Sequence, residues 1–317
     1  MDIIDIQKKQ QKMIIKKQIE SDSKHTPIKY NTAFNSFNTY MKQNNITNIN
    51  QENINDVLLQ YLKYLKDMQL TKNTIKQYMI LINNFLKNEC KYQIDYIKLP
   101  KPEKHKPKYI DVTQYQEVMQ HLKNERSKTS TFHQKKIIDT DITIINLLFN
   151  TGLRIHEALK ITIDEIQKIK DTKEYELYDL DVYGKGNKER TIYIPANTYN
   201  MIIKYIKEYS SPEQIFIFES NKELGTPITT MTIERHFKRI AKELDAINDT
   251  AADDKNSYQT LLKPHNLRHS YAVVKTTEKG LSVNTLQELL GHANITTTQI
   301  YTKVNNKEVK KALAKTI

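Results

Sequence analysis

The chain has 317 residues, enough for two domains that each bury a core. Lys and Arg number 49 against 37 Asp and Glu, and this surplus of +12 favours a polyanionic partner through phosphate contacts and counterion release. A single cysteine, Cys90, excludes a disulfide framework and a cysteine-based zinc site, and the lysine-studded N-terminus offers no apolar core for a signal peptide. No apolar run approaches the roughly 20 residues that span a bilayer, so the expectation is a soluble protein of a reducing, cytoplasmic compartment.

Residues 1–23 form a polar N-terminal extension, rich in Lys and Gln with scattered Ile, whose conformation the pattern leaves open. From Pro27 the pattern becomes helical: Ala33, Phe34, Phe37, Tyr40 and Met41 share one face. Ile54, Leu58, Tyr61, Leu62 and Leu65 write a second helix, and Ile75, Tyr78, Met79, Ile82, Phe85 and Leu86 write a third after Thr71. A small helical bundle over residues 24–97 follows. Residues 98–108 break it with Pro100, Pro102 and Pro107, and carry Lys98, Lys101, Lys104, Lys106 and Lys108 against one acid, Glu103. This basic linker is either plainly solvated or a strap lying along DNA.

A second domain is predicted over residues 109–317. The apolar run Ile142, Ile144, Ile145, Leu147, Leu148 and Phe149 predicts a buried helix that stops at Gly152. Strand formers at 174–183 and 190–195, joined by a turn at 184–189, predict a β-hairpin. Helices are expected over 197–209, 229–245, 266–279 and 283–290, with a polar surface loop at 246–260. The last segment, 304–317, sets Val304, Val309, Leu313 and Ile317 among lysines. It either packs on its own domain or reaches into a neighbouring protomer and couples their active sites.

Four of the six glycines (Gly152, Gly184, Gly186 and Gly291) fall inside three charged motifs, which marks those motifs as backbone-demanding. They are Thr151-Gly152-Leu153-Arg154-Ile155-His156-Glu157, Gly184-Lys185-Gly186-Asn187-Lys188-Glu189-Arg190, and Leu290-Gly291-His292. A fourth, His265-Asn266-Leu267-Arg268-His269, opens the helix after Pro264, and Tyr301 closes the series. Two Arg, a Lys and two His converging on a Tyr suit a phosphodiester. Arg154 and Arg268 supply planar forks for the charge that builds on non-bridging oxygens. His265 and Arg268 are three apart and share a helix face, while His269 suits a hydrogen bond that anchors the helix. Lys185, at the hairpin tip, can protonate the leaving 5′ oxygen, and His292 can donate to the phosphate or to that oxygen. Among 19 tyrosines only placement singles one out, and Tyr301 stands nine residues behind His292 as the nucleophile. Glu157 orients Arg154 or a histidine, or simply favours a helix N-terminus. Lys188 and Arg190 read as DNA-backbone contacts or surface charge.

The ordered set resembles the tyrosine recombinase, or phage-integrase, family, strongly over 109–317 and weakly over 24–97. In that resemblance Arg154 fills the first arginine box with Glu157 in its acidic place, and Lys185 the hairpin lysine. His265 and Arg268 fill the second box, His292 the Leu-Gly-His box, and Tyr301 the nucleophile's place. The detail is most similar to the Xer-like and integrative-element branches. The resemblance implies a mainly α protein with a small β-hairpin, built as a two-domain clamp of a helical core-binding domain and an α/β catalytic domain. It implies a site-specific recombinase that cleaves and rejoins double-stranded DNA at specific sites through a 3′-phosphotyrosine, as a tetramer on two sites at the nucleoid. Neither cofactor nor metal is implied. Integration, excision and resolution all fit, as do unidentified accessory proteins. A type IB topoisomerase-like enzyme and a non-catalytic DNA-binding relative are the alternatives.

Overall fold

The computed structural model describes residues 1–21, 25–101, 107–169, 176–184, 189–252, 254–278, 280–290 and 313. The chain divides into two compact units, Met1–His105 and Lys106–Ile317.

Four helices build the first unit: α1 (Ile3–Glu20), α2 (His25–Gln43), α3 (Ile54–Asp67) and α4 (Lys72–Asn88). Its core is aromatic, with Phe34 edge-on to Phe85 and Phe37 edge-on to Tyr61, each at 4.9 Å between ring centroids. Residues 3–20 are an integral helix of this unit rather than an extension preceding it. The Asp2 side chain caps α1 by accepting from Asp5 N at 2.7 Å, and Ile6, Gln10, Met13 and Ile14 are buried. The α-amino group of Met1 donates to the Ile49 carbonyl at 2.6 Å, and Lys9 Nζ to the Glu89 carbonyl at 2.8 Å. The apolar stripe is hard to read from sequence because a glutamine occupies one of its inward positions. Gln10 is buried with its Oε1 accepting from Asn38 Nδ2 of α2 at 2.9 Å. Beyond α4, Ile94, Ile97 and Leu99 still pack on this core, while Lys98 and Lys101 are exposed. Lys108, at the start of the second unit, is exposed too; Lys104 and Lys106 lie outside the described residues.

In the second unit, α5 (Val112–Lys128) leads into α6 (Phe132–Thr151), the helix around which the main core is assembled. Residues on all sides of α6 are buried, as befits a helix packed against α5, the hairpin and several later helices. Its buried polar groups are paired. Asp141 receives His236 Nδ1 at 2.8 Å and Arg239 Nη2 at 3.2 Å, and Asn146 bridges Tyr115 and Thr198. Two short helices follow, α7 (Ile155–Ala158) and α8 (Ile163–Gln167). Strands β1 (Leu177–Tyr183) and β2 (Glu189–Pro195) then pair antiparallel, from Leu177 opposite Pro195 to Tyr183 opposite Glu189. Ile192 and Ile194 of β2 enter the main core, while Tyr193 faces a second cluster with Leu177, Tyr271, Leu281, Leu286, Leu289 and Leu290.

The rest of the unit is α9 (Ala196–Tyr209), α10 (Thr230–Ile247), α11 (Tyr258–Leu261), α12 (Pro264–Val273) with a π-turn at Val274–Glu278, and α13 (Val283–Leu290). Part of the loop expected at 246–260 is interior: Ser257 is fully buried and Tyr258 nearly so. Asp245 explains it, accepting from Ser257 Oγ at 2.6 Å, Tyr258 N at 2.6 Å and Gln259 N at 3.1 Å, which stitches the segment back onto α10. Of residues 304–317 only Leu313 is described. It is buried in the second cluster of its own unit, which also holds Tyr271, Leu286 and Leu290.

Candidate active site

The centre starts from how α6 ends. Gly152 caps it in the left-handed region (φ +67°), its N–H donating to the Leu148 carbonyl at 3.0 Å. A Cβ here would lie 2.6 Å from Tyr271 Cδ1 and 2.9 Å from Leu290 Cδ2, so glycine is required both by conformation and by the approach of α12 and α13. The reversal delivers Arg154, in extended backbone, to the N-terminus of α7. Glu157, three residues on, accepts from Arg154 N at 2.9 Å and from Arg154 Nη1 at 2.9 Å, fixing both ends of the same arginine.

Glu157 has a second guanidinium partner. Arg190 of β2 forks onto it, Nη1 to Oε1 at 3.0 Å and Nη2 to Oε2 at 2.7 Å, and its Nε donates to the Leu289 carbonyl at 3.3 Å. The Glu157 side chain is fully buried. Burial alone would raise its carboxyl, but the hydrogen bonds from Arg190 and Arg154 outweigh it and hold the group at about 2. Arg190 is therefore not the surface charge expected from its place near the hairpin turn, being only 11 % exposed. A signal was available in the alternation of β2, where residue 190 shares a face with the core residues Ile192 and Ile194.

Helix α12 supplies the rest. Pro264 occupies its first turn, and Asn266 Nδ2 holds the start of the helix to α11 through the Leu261 carbonyl at 2.9 Å. Arg268 is buried and donates from Nη1 to the Gly152 carbonyl at 2.7 Å and from Nη2 to the Leu290 carbonyl, so it spans the ends of α6 and α13. Burial and the neighbouring Arg154 and Arg190 charges push it down to about 10, which leaves it a cation at neutral pH. One turn earlier His265 stays accessible to solvent. Partial desolvation of its ring, then the charges of Arg268 and Arg154, lower its pKa and so favour the neutral imidazole. His269 lies edge-on to it, with 4.5 Å between centroids, a contact that fixes the His265 ring on the helix.

Arg154, Glu157, Arg190, His265, His269 and Arg268 thus meet in one region of the second unit, with two guanidiniums on one carboxylate and a third, that of Arg268, close by. Lys185, Lys188, His292 and Tyr301 lie outside the described residues. What the described part can do chemically is bind and polarise an oxyanion: a net positive, preorganised, largely buried cluster with Arg154 its most accessible guanidinium, the Arg154 side chain being 32 % exposed.

The chain belongs to the phage integrase family, whose model matches residues 108–308; the phage integrase N-terminal SAM-like domain matches residues 14–89. It is a site-specific recombinase of the tyrosine class. Tyrosine recombinase XerD of Rickettsia conorii is 28% identical over 306 residues, covering 92% of both chains. Tyrosine recombinase XerC of Bacillus subtilis is 27% identical over 306 residues, covering 91% of this chain and 89% of that one. Among solved structures, the XerH site-specific recombinase bound to its difH substrate superposes with a TM-score of 0.62 at 21% identity, covering 90% of this chain and 78% of that one. A variant of the Tn1549 transposon integrase in complex with a circular intermediate DNA gives 0.63 at 16% identity, covering 91% and 92%. At these identities the two structures speak for the fold: mainly helical, with a small antiparallel sheet. Among the described residues no helix is long and apolar enough to cross a membrane.

Proposed function

We propose that this chain cleaves and rejoins double-stranded DNA at paired specific sites through a 3′-phosphotyrosine on Tyr301, acting as a tetramer at the nucleoid. The observation that carries the reading is the placement of Arg154, at the N-terminus of α7, and Arg268, on α12, in one region, braced by Glu157 and by the Gly152 and Leu290 carbonyls. The two arginines neutralise the non-bridging oxygens of the scissile phosphate, where charge grows during substitution. The Tyr301 oxygen forms the new P–O bond and passes its proton to a neighbouring imidazole, which returns it when the phenol is released. The bond to the 5′ oxygen breaks, and that oxygen takes a proton from Lys185. His265 and His292 donate to the phosphate. A 5′ hydroxyl of the partner strand then attacks the phosphotyrosine and releases the phenol. One P–O bond is exchanged for another of similar energy, so neither step needs a high-energy cofactor.

The DNA partner is supported by the +12 charge and by the exposed Lys98, Lys101 and Lys108; Lys104, Lys106 and Lys188 complete the proposed backbone contacts. The test uses nicked duplexes tiled from the DNA flanking the gene, incubated in EDTA with wild type and with Tyr301→Phe. A denaturation-resistant protein–DNA adduct is expected with wild type alone. An adduct that persists in Tyr301→Phe removes that residue as nucleophile.

A further inference from the structure

We propose that Arg190 is a positioning residue of this centre, one that neutralises Glu157 so that Arg154 keeps a full positive charge for the phosphate. The inference rests on the reading of Arg154 as a phosphate ligand. The two guanidiniums on Glu157 are not equivalent. Arg190 engages both carboxylate oxygens, at 3.0 and 2.7 Å, and its third nitrogen is committed to the Leu289 carbonyl. Arg154 spends a single nitrogen, Nη1, on the carboxylate, and its side chain is 32 % exposed against 11 % for Arg190. Arg154 therefore keeps guanidinium edges to offer a substrate, whereas Arg190 is spent behind it.

Charge gives the arrangement its purpose. With Arg190 absent, Glu157 and Arg154 form a neutral buried pair, and the carboxylate cancels the field that Arg154 exerts on a phosphate a few ångströms away. With Arg190 present, the carboxylate still holds Arg154 in place, yet the group of three keeps one positive charge. The Arg190 Nε bond adds a mechanical link. It ties β2, which follows Lys185 in the chain, to the last turn of α13, which precedes His292, while the next carbonyl, that of Leu290, receives Arg268. One buried guanidinium thereby joins the segment that follows the proposed acid to the Arg154–Glu157 turn and to the helix that precedes the second histidine.

The test compares rates of covalent adduct formation on a nicked site bearing either a normal phosphodiester or a methylphosphonate at the scissile position. The methylphosphonate replaces a charged non-bridging oxygen by a neutral methyl group and so lowers the demand for cationic stabilisation. Arg190→Ala is expected to slow adduct formation on the phosphodiester by roughly 10²-fold, the scale of losing one preorganised donor, and to recover on the methylphosphonate, as is expected of Arg154→Ala too. Adding Glu157→Gln to Arg190→Ala should raise the phosphodiester rate, because the uncompensated carboxylate is then gone. Arg190→Lys keeps the charge but not the fork, and about a tenfold loss with the same recovery is expected if the alanine variant does not fold. A rate within about twofold of wild type, or a defect equal on both substrates while Arg154→Ala recovers, overturns the role of Arg190 and leaves it a structural ion pair. A normal phosphodiester rate in Arg154→Ala instead overturns the site reading itself.

Discussion

Glu157 shows how much one side chain carries at this centre. Its carboxyl, held at about 2 against an ordinary 4.5, is depressed, so the stability it contributes is complete above pH 4.5 and is lost as pH falls through 2. The contribution is on the order of 3 kcal/mol. The difference in thermal stability between wild type and Glu157→Gln should therefore shrink on acidification across that window. A difference independent of pH there contradicts the ion-pair account. His265 makes the opposite kind of prediction. Ring burial and two guanidiniums lower its pKa in the free protein, so an arriving phosphodiester, which offsets those charges, should raise it. Imidazole ¹⁵N titration with and without bound DNA measures this, and an unchanged value denies His265 a phosphate contact. Most of these residues are legible in sequence because phosphate chemistry narrows the choice of side chain. Strand alternation marks Arg190 as inward-facing, but its role is not legible, because it depends on a partner 33 positions away.

At the scale of elements, the centre depends on where α6 stops. Gly152→Ala places a side chain in left-handed backbone, costing about 1–2 kcal/mol, and drives its Cβ into Tyr271 and Leu290. A total loss of about 2–4 kcal/mol is expected, seen as a melting temperature lower by roughly 10 °C for a unit of this size. A melting temperature within a degree or two shows that α12 and α13 yield more easily than their packing suggests. Helix α1 teaches about patterns. Its inward positions are Ile6, Gln10, Met13 and Ile14, and the glutamine breaks an otherwise readable stripe. Removing residues 1–20 should uncover the α2 face that holds Asn38 and destabilise the first unit, which proteolysis of the truncated protein will report. The buried end of the 246–260 segment was hidden for a related reason: its anchor is the carboxylate Asp245, and polar residues read as solvent-facing until a buried partner is found.

For the whole molecule the governing quantity is charge. A protein at +12 that holds DNA through lysines and arginines should bind unrelated duplexes with an affinity that falls steeply and linearly in log–log salt plots. A flat salt response would mean that the basic surface is not in contact with phosphates. Division into two helical units, the hairpin and the order of the charged motifs are local matters: helical or strand periodicity, glycine at a sharp turn and proline in a linker act over a few residues, and the sequence alone determines them. Contacts between distant segments are different. That Arg190 turns inward onto Glu157, that Arg268 spans the ends of α6 and α13, and that α1 belongs to the first core were decided only by tertiary structure. The reason is physical: a buried charge or amide is tolerable only beside its partner, and the partner's position is set by the packing of the whole unit.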